Sequence, residues 1–391
     1  MVNIAVLGYG TVGSGVVEVI NRNQESINKK AGEEINIKYV LDLRDFPGDP
    51  VEKVLVHDYD VIANDPEVDI VVEVMGGVEP AYTFTKRALE AGKSVCTSNK
   101  ELVARHGTEL LAIAKEHGAN YLFEASCGGG IPIIRPLNSS LTADEIDLGY
   151  AERNPEADVE GYDACRKIAI LSSLAYGKEV NYEEVYTEGI TKITAKDIKY
   201  AKEMGCDIKL LGMAKNTEDG IEAYVCPMLI PSNHPLASVN DSYNAVFVNG
   251  DAVENAMFYG RGAGELPTAS AVVGDLFDIA RNISAGCCGR IGCTCYKEIP
   301  VKKMADTHNR YFMRLIVEDR CGVLAEMTAV FAKYGVSVAQ IIQKAAREAG
   351  SAEVVVITAK VREGDFRTAM EELSGRESVR KISSMLRVYG E

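Results

Sequence analysis

Apolar and polar positions along this chain follow three rhythms in turn. Up to about residue 124, short apolar runs alternate with stretches of helical period. Residues 2–7 read as a strand, 11–23 as a helix and 35–41 as a second strand. Residues 69–73 form a continuous apolar run, the pattern of a strand buried on both faces. A helix is expected at 81–91 with Gly92 just past its end, and a strand at 94–97. A helix at 108–117, stopped by Gly118, and a strand at 121–123 close the series. Repeated β-α-β units require a parallel sheet with right-handed crossovers.

The middle is less regular. Helices are expected at 163–176 and 195–204, and strands at 208–214 and 223–225. A long helical stretch at 267–281 has the pattern of an element packing back on the first sheet, and the polar residues 302–309 read as a linker. Roughly the last eighty residues repeat a β-α-β-β-α-β order. Its strands are placed at 311–318, 336–343, 353–360 and 379–388, with a second helix at 365–373. Leu324, Met327, Phe331 and Tyr334 fall on one face of the first helix, as core residues do. The expected class is α/β: a Rossmann-type doubly wound parallel sheet, a mixed α/β (α+β) middle and a ferredoxin-like tail. The expected domains are 1–124, completed by about 257–300, then 125–256, a linker at 301–310, and 311–391.

Composition narrows the partners. The 391 residues hold 42 basic and 57 acidic side chains, a net charge of −15, with no basic tract. Nucleic acid and anionic membranes are therefore not expected as partners, and no apolar run is long enough for a bilayer. Met1 leads straight into a strand without a signal peptide, so a reducing cytoplasm is the expected compartment for the ten cysteines. Cys287, Cys288, Cys293 and Cys295 crowd together, but C-C-x4-C-x-C is not the paired-knuckle spacing of zinc sites. They read as packing thiols, with metal the alternative.

The first chemical signal lies at the end of the first strand, where Gly8, Gly10 and Gly13 open a helix. Gly8 permits a tight turn, Gly10 lets the backbone approach a pyrophosphate, and Gly13 lets helix and strand pack closely. The helix N-terminus then offers N–H groups and a positive dipole end to the phosphates.

Further stretches follow in order. Residues 72–80 read VEVMGGVEP and 97–100 TSNK; 123–132 read FEASCGGGIP and 148–152 LGYAE. Residues 158–163 read DVEGYD with Lys167 beyond, and 259–264 read YGRGAG before 267–270, PTAS. This ordered set resembles homoserine dehydrogenase from Met1 to about Pro300, and the tail resembles an ACT domain. The resemblance implies reversible oxidation of homoserine to aspartate 4-semialdehyde with NAD(P), on the route to threonine, methionine and isoleucine. It assigns proton transfer to Lys167, with Lys100 and Asp163 as further catalytic groups. Asp163 and Lys167 also lie at i, i+4 on an expected helix, so they share a face; taken alone, that spacing equally describes a surface ion pair. Substrate binding falls to Glu152, on the ammonium, and to Asp158, Asp163 and Lys100. Cofactor contacts fall to Gly8, Gly10, Thr11, Val12, Gly13, Arg44, Gly76, Ser98, Lys100 and Gly264. Backbone oxygens at Glu124, Cys127, Gly129 and Ile131 are implied to hold a sodium ion. Arg44 after the second strand points to NADP, while the neighbouring Asp42 leaves NAD open. A homodimer or homotetramer with threonine as effector completes the expectation; a purely structural, oligomerising tail is the alternative.

Two departures stand out. Asp147 abuts Leu148 where members of the family carry a few dozen further residues, including a G-I-L-N-G-T-T-N-Y-type stretch that shapes the substrate pocket and dimer contact. Either the sequence is shortened there or the protein lacks the stretch; the positions that survive on both sides favour the first. The tail carries Asp319-Arg320-Cys321-Gly322 in place of D-x-P-G. Two rival readings remain. One is a different Rossmann-plus-ACT dehydrogenase, although none of His57, His106, His117, His234 and His308 has a catalytic setting. The other is a catalytically impaired amino-acid sensor on the same fold.

Overall fold

The computed structural model describes residues 1–152, 159–289, 295, 297–345 and 350–390. By its contacts the chain divides into two compact units. One comprises Met1–Ile146, Arg166–Tyr182 and Ser242–Glu298; the other comprises Asp147–Cys165, Glu183–Asp241 and Ile299–Glu391.

The first unit is built on β1 (Val2–Leu7), β2 (Ile35–Leu41), β3 (Leu55–Val56), β4 (Ile70–Glu73), β5 (Ser94–Thr97) and β6 (Tyr121–Leu122), ordered β3-β2-β1-β4-β5-β6. Every pairing is parallel. Parallel strands buried by helices read as unbroken apolar runs, and all four residues of β4 and of β5 are buried. Among its helices are α1 (Thr11–Ala31), α2 (Tyr59–Ala63), α3 (Ala81–Glu90) and α4 (Lys100–Glu116).

Three helices differ in extent from expectation. At Asn23 the backbone leaves helical geometry (φ −114°, ψ 17°), but α1 resumes and runs to Ala31. Ile27 and Ala31 are buried beyond the kink, so packing carries the helix past its local break. α4 begins at Lys100 rather than 108, because the Asn99 side chain accepts from the Leu102 N–H at 3.1 Å and caps the helix there. Helix Glu265–Ser284 likewise outruns the expected 267–281, and its Val272, Leu276 and Ile279 share one core with Val16 and Ile20 of α1. An antiparallel hairpin, Tyr243–Gly250 with Glu254–Arg261, was not foreseen.

The second unit holds a mixed sheet. Its long hairpin, Cys206–Thr217 with Gly220–Pro231, extends well past the two short strands expected there. Gly220, at φ +139°, makes the turn possible, and the Thr217 hydroxyl donates to its carbonyl at 2.6 Å. Strand Ile146–Glu152 pairs with this hairpin through Leu148–Ala151, so the Asp147–Leu148 junction lies inside a strand.

The tail forms strands His308–Glu318, Val338–Ala345, Ser351–Thr358 and Val379–Val388 with helices Val323–Lys333 and Glu363–Ser374. Met327, Val330 and Phe331 pack with Val354, Val356 and Leu373 in its core. The other sheet face is covered within the same unit by helix Ala195–Glu203. There Tyr200 and Ala201 meet Phe312, Val355 and Leu386. Buried Arg314 joins the two layers, donating to Asp197 and Glu353 at 3.0 Å each. Strand Val379–Val388 also runs parallel to the hairpin strand Gly220–Pro231, with Met228 opposite Arg387. Residues 302–309 pack along the hairpin: Lys302 N–H donates to Ile221 O at 2.8 Å, and Thr307 is buried. The fold is thus the expected Rossmann-type parallel sheet, a mixed second sheet and a ferredoxin-like tail. Among the described residues no helix is long and apolar enough to cross a membrane.

Candidate active site

The C-terminal ends of parallel strands share one edge of a sheet, where ligands of such folds bind. β1 leads into Gly8, at φ +97°. A Cβ on Gly13 would stand 1.9 Å from the Gly8 carbonyl oxygen, so only glycine fits there. A Cβ on Gly10 would meet nothing within 4 Å: that position is open space. Gly10 is also the N-cap of α1 and supplies no side-chain acceptor, which leaves the first-turn N–H groups of Thr11 and Val12 for a ligand.

β4 ends at Glu73 and is followed by Val74, Met75 and Gly76. Met75 closes on Gly8, its Cγ 3.2 Å from where a Gly8 Cβ would be. Glu73 is fully buried. It accepts from the Met75 N–H at 2.8 Å and the Thr97 hydroxyl at 2.5 Å, and burial pushes its carboxyl up to about 7. Thr97 in turn accepts from the Asn99 N–H at 2.8 Å, while the Asn99 amide donates to Gly77 O at 2.6 Å. This chain of bonds ties the loop holding Gly76 to the corner holding Ser98 and Lys100. Sequence reading missed Glu73, Thr97 and Asn99 as positioning residues; a carboxylate closing an apolar run was the available signal. Lys100 opens α4. A cation at the positive end of a helix costs about 0.3–1 kcal/mol, which an anionic ligand would offset.

Arg44 and Asp42 are paired. Asp42 accepts from Arg44 Nε at 2.9 Å and Nη2 at 3.0 Å, and from the Tyr9 N–H at 2.9 Å. Those bonds hold its carboxyl well below the usual range, with Arg44 the main cause. The guanidinium lies 5.1 Å from the Phe46 ring centre and is mostly exposed.

The glycine-rich loop from Glu124 to Ile131 is fixed from several sides. A Cβ on Gly129 would reach 2.6 Å from Gly262 O, and Gly130 N–H donates to Arg261 O at 3.1 Å. This places the loop against the turn containing Gly264, which caps helix Glu265–Ser284. The helix start in turn touches α1, with Ser14 Oγ donating to Glu265 at 3.1 Å. Glu124 spends its carboxylate on the N–H groups of Ile133, Ile134 and Arg135, at 2.6–2.9 Å. Its own N–H donates to Asp275, whose carboxyl burial pushes up to about 8. With that carboxylate committed, the loop has backbone oxygens to offer, the donors a hard cation takes. Among the described residues no group of three or more His, Cys, Asp or Glu side chains is arranged for a metal. Cys293 lies outside them.

Lys167 lies on helix Tyr162–Tyr176 and is 5% exposed. Lysines are rarely so buried unless paired. Its carbonyl accepts from the Cys127 thiol at 4.0 Å, which brings it beside the glycine-rich loop. Asp163 occupies the first turn of the same helix, one turn before Lys167. Glu152 ends its strand, and Asp158 lies outside the described residues. One edge of the first unit therefore gathers Gly8–Gly13, Gly76, Ser98, Lys100 and Gly264.

Family models described as "Homoserine dehydrogenase, NAD binding domain", "Homoserine dehydrogenase" and "ACT domain" match residues 8–124, 135–277 and 311–377. The ACT match marks the tail as a module for an amino-acid effector. The homoserine dehydrogenase of Bacillus subtilis (strain 168) is 38% identical over 428 residues, covering 100% of this chain and 98% of that one. That span exceeds the 391 residues here, so the relative carries positions this chain lacks. The crystal structure of a homoserine dehydrogenase from Thiobacillus denitrificans superposes with a TM-score of 0.90 at 35% identity, covering 99% and 98% of the two chains. A hyperthermophilic archaeal homoserine dehydrogenase mutant in complex with NADPH gives 0.59 at 25% identity, covering 71% and 97%. Shared along its whole length with such relatives, and folded around an NAD(P)-binding sheet, the chain belongs to the homoserine dehydrogenases, oxidoreductases of amino-acid biosynthesis.

Proposed function

We propose that this protein interconverts homoserine and aspartate 4-semialdehyde with NADP, and that Lys167 moves the proton. What carries the reading is the convergence of the open Gly10 turn, the Gly76 loop and the Ser98–Lys100 corner on one sheet edge. The bound nicotinamide would exchange a hydride with the carbon bearing the hydroxyl. The chain must then take or return the hydroxyl proton, hold the ammonium and carboxylate, and exclude water. Lys167, buried one turn beyond Asp163, takes the proton as a neutral amine; Asp163 shares its helix face and holds substrate. Lys100 meets the carboxylate and cofactor, and Glu152 holds the ammonium with Asp158 orienting a lysine or water. NADP is favoured over NAD because Arg44 already neutralises Asp42 while keeping an exposed edge for a 2′-phosphate; the NADPH complex of the archaeal relative agrees. A sodium ion would sit on backbone oxygens of Glu124, Cys127, Gly129 and Ile131.

In this scheme residues 1–124 with 257–300 hold the cofactor, and 125–256 hold substrate and a twin subunit. Residues 301–310 link these to the regulatory 311–391. Threonine is the proposed effector, at the turn where Gly322 adopts φ +93° ahead of helix Val323–Lys333. The protein acts in the cytoplasm as a homodimer or homotetramer. A steady-state assay with homoserine and NADP tests the core of this. Lys167→Ala should lose about 10²–10⁴-fold in turnover and keep cofactor binding. Undiminished turnover would remove Lys167 from the mechanism. Cofactor binding by the wild type without turnover would assign the sensor reading instead.

A further inference from the structure

The second unit contains a cavity of about 500 Å³ lined by none of the residues proposed above for the oxidoreductase reaction. Its floor is charged. Arg387 and Glu363 are 6% and 1% exposed. Arg387 donates to Glu363 through Nε at 3.0 Å and Nη2 at 2.5 Å, and through Nη1 to Glu188 at 2.8 Å. The Tyr311 hydroxyl and Arg367 donate to Glu363 as well, at 2.5 Å and 2.8 Å. The Tyr186 ring takes both guanidinium groups, at 5.3 Å from Arg367 and 5.2 Å from Arg387. One wall is apolar, lined by Ile193, Phe366, Met370 and Ile382. Lys192 and Glu371 line the cavity too; both are exposed, and neither has an ion-pair partner among the described residues.

This lining selects a ligand class. Three cations (Lys192, Arg367, Arg387) face three carboxylates (Glu188, Glu363, Glu371), so neither a bare anion nor a bare cation gains from the local field. A molecule carrying both charges can complement both, and the apolar wall calls for a hydrocarbon side chain. The volume lies in the range of small-molecule sites, about 300–1,000 Å³. The Asp319–Gly322 turn does not line the cavity, so this place is separate from that turn.

The cavity also touches the segment leading to Asp163. Gly189 lines it, and a Cβ there would fall 2.2 Å from the Val159 carbonyl oxygen. Ile190 N–H donates to the same oxygen at 2.9 Å, and Glu188 N–H donates to Val225 O at 2.8 Å. Gly161 packs against Thr187 and Val225, and its carbonyl accepts from Cys165 N–H at 2.9 Å in the helix that bears Asp163. Backbone contact at Gly189 and Ile190 thus joins the segment carrying Glu188 to Val159, two residues before Gly161.

We propose that this cavity binds a zwitterionic amino acid with an apolar side chain, and that occupation sets the position of residues 159–163. The second half rests on reading Asp163 as a substrate acid; the first does not. Calorimetric titration of the full chain with L-leucine tests the site, and 3-methylbutylamine and 4-methylpentanoate, each with one of leucine's charges, serve as controls. Leucine should bind, both controls at least about tenfold more weakly. The exposed double variant Lys192→Gln, Glu371→Gln should lose about tenfold in affinity with an unchanged melting temperature. No heat up to about 10 mM leucine, or equal binding of either control, overturns the site. So does an unchanged affinity in the double variant. Hydrogen exchange reads the coupling without any turnover: leucine should protect the Ile190 amide. Binding that leaves that amide unaltered discards the coupling alone, and a failed homoserine assay leaves both readouts intact.

Discussion

The β1–α1 turn and the floor around Arg387 solve the same problem in opposite ways. Both hold separate segments in fixed register at a place where a ligand can approach. The turn does so by leaving atoms out: at Gly13 there is room for a hydrogen and nothing larger, and no charge is involved. The floor does so by adding them, with one guanidinium clamping two carboxylates that come from positions 188 and 363. Steric exclusion tolerates no substitution but costs nothing in desolvation. A buried charge cluster costs desolvation of every member, and it holds only while all of them are present. The turn is therefore rigid by construction, whereas the clamp can respond to what binds beside it.

The largest effect expected from this contrast is at Arg387. Arg387→Ala leaves buried Glu363 and half-buried Glu188 without their shared partner, a loss of about 3–5 kcal/mol. Arg387→Lys should recover little of it, because one ammonium cannot reproduce the forked contacts. Denaturant melts compare the three proteins directly; an alanine variant as stable as wild type would show the clamp to be dispensable. Somewhat smaller is Gly13→Ala, about 3 kcal/mol, because the Cβ strikes backbone that cannot step aside. Gly10→Ala sharpens the comparison. With nothing within 4 Å of its Cβ, it should keep the melting temperature and weaken NADPH binding alone. Equal stability losses at the two positions would contradict the steric account.

The same difference decides what could be read beforehand. Gly8, Gly10 and Gly13 were legible because each reports a local steric demand, visible in a window of six residues. The β-α-β order was legible because β4 and β5 are buried on both faces and so unbroken in apolar pattern. Arg387 and Glu363 were not, since in sequence they resemble solvated charges and only the tail's packing makes them partners. The start of α4 was missed because Asn99 acts as a cap only once β5 has delivered it to the sheet edge. The full length of the hairpin Cys206–Thr217 with Gly220–Pro231 was missed because one strand is buried almost throughout, which erases alternation. Of the site, Arg44, Ser98 and Lys100 were named from resemblance, while the Glu73–Thr97–Asn99 bonds that set the places of Ser98 and Lys100 came only with coordinates.

Glu73 gives the next effect in size. Its carboxyl is raised by burial to about 7 from a model-peptide value near 4.5. Between those values the folded chain binds more protons than the unfolded one, so stability falls as pH rises. The contribution is fully present below about pH 4.5 and is lost above pH 7, a span of roughly 3 kcal/mol at most. Glu73→Gln stays neutral throughout. It should flatten the decline in melting temperature between pH 5 and pH 8 and leave the first-unit turn intact. A decline as steep as that of wild type would place the titrating group elsewhere, with Asp275, raised to about 8, the next candidate.

The smallest effect expected is at Arg44, and it separates binding from fold. Its side chain is 63% exposed and its guanidinium rests on Asp42 and Phe46, so losing it should barely alter stability. Its work is electrostatic. With Arg44 present, the Asp42 carboxylate is neutralised where a 2′-phosphate would lie; with Gln there, the same carboxylate repels that phosphate and is freed to bond a ribose diol. Arg44→Gln should therefore raise the KM for NADPH about tenfold, the scale of one charge-assisted contact, and leave or lower that for NADH. The ratio of the two is the informative quantity, since a general loosening of the β1–α1 turn would raise both together. Parallel rises would return Arg44 to a structural role beside Phe46, and the NADP preference would then need another source.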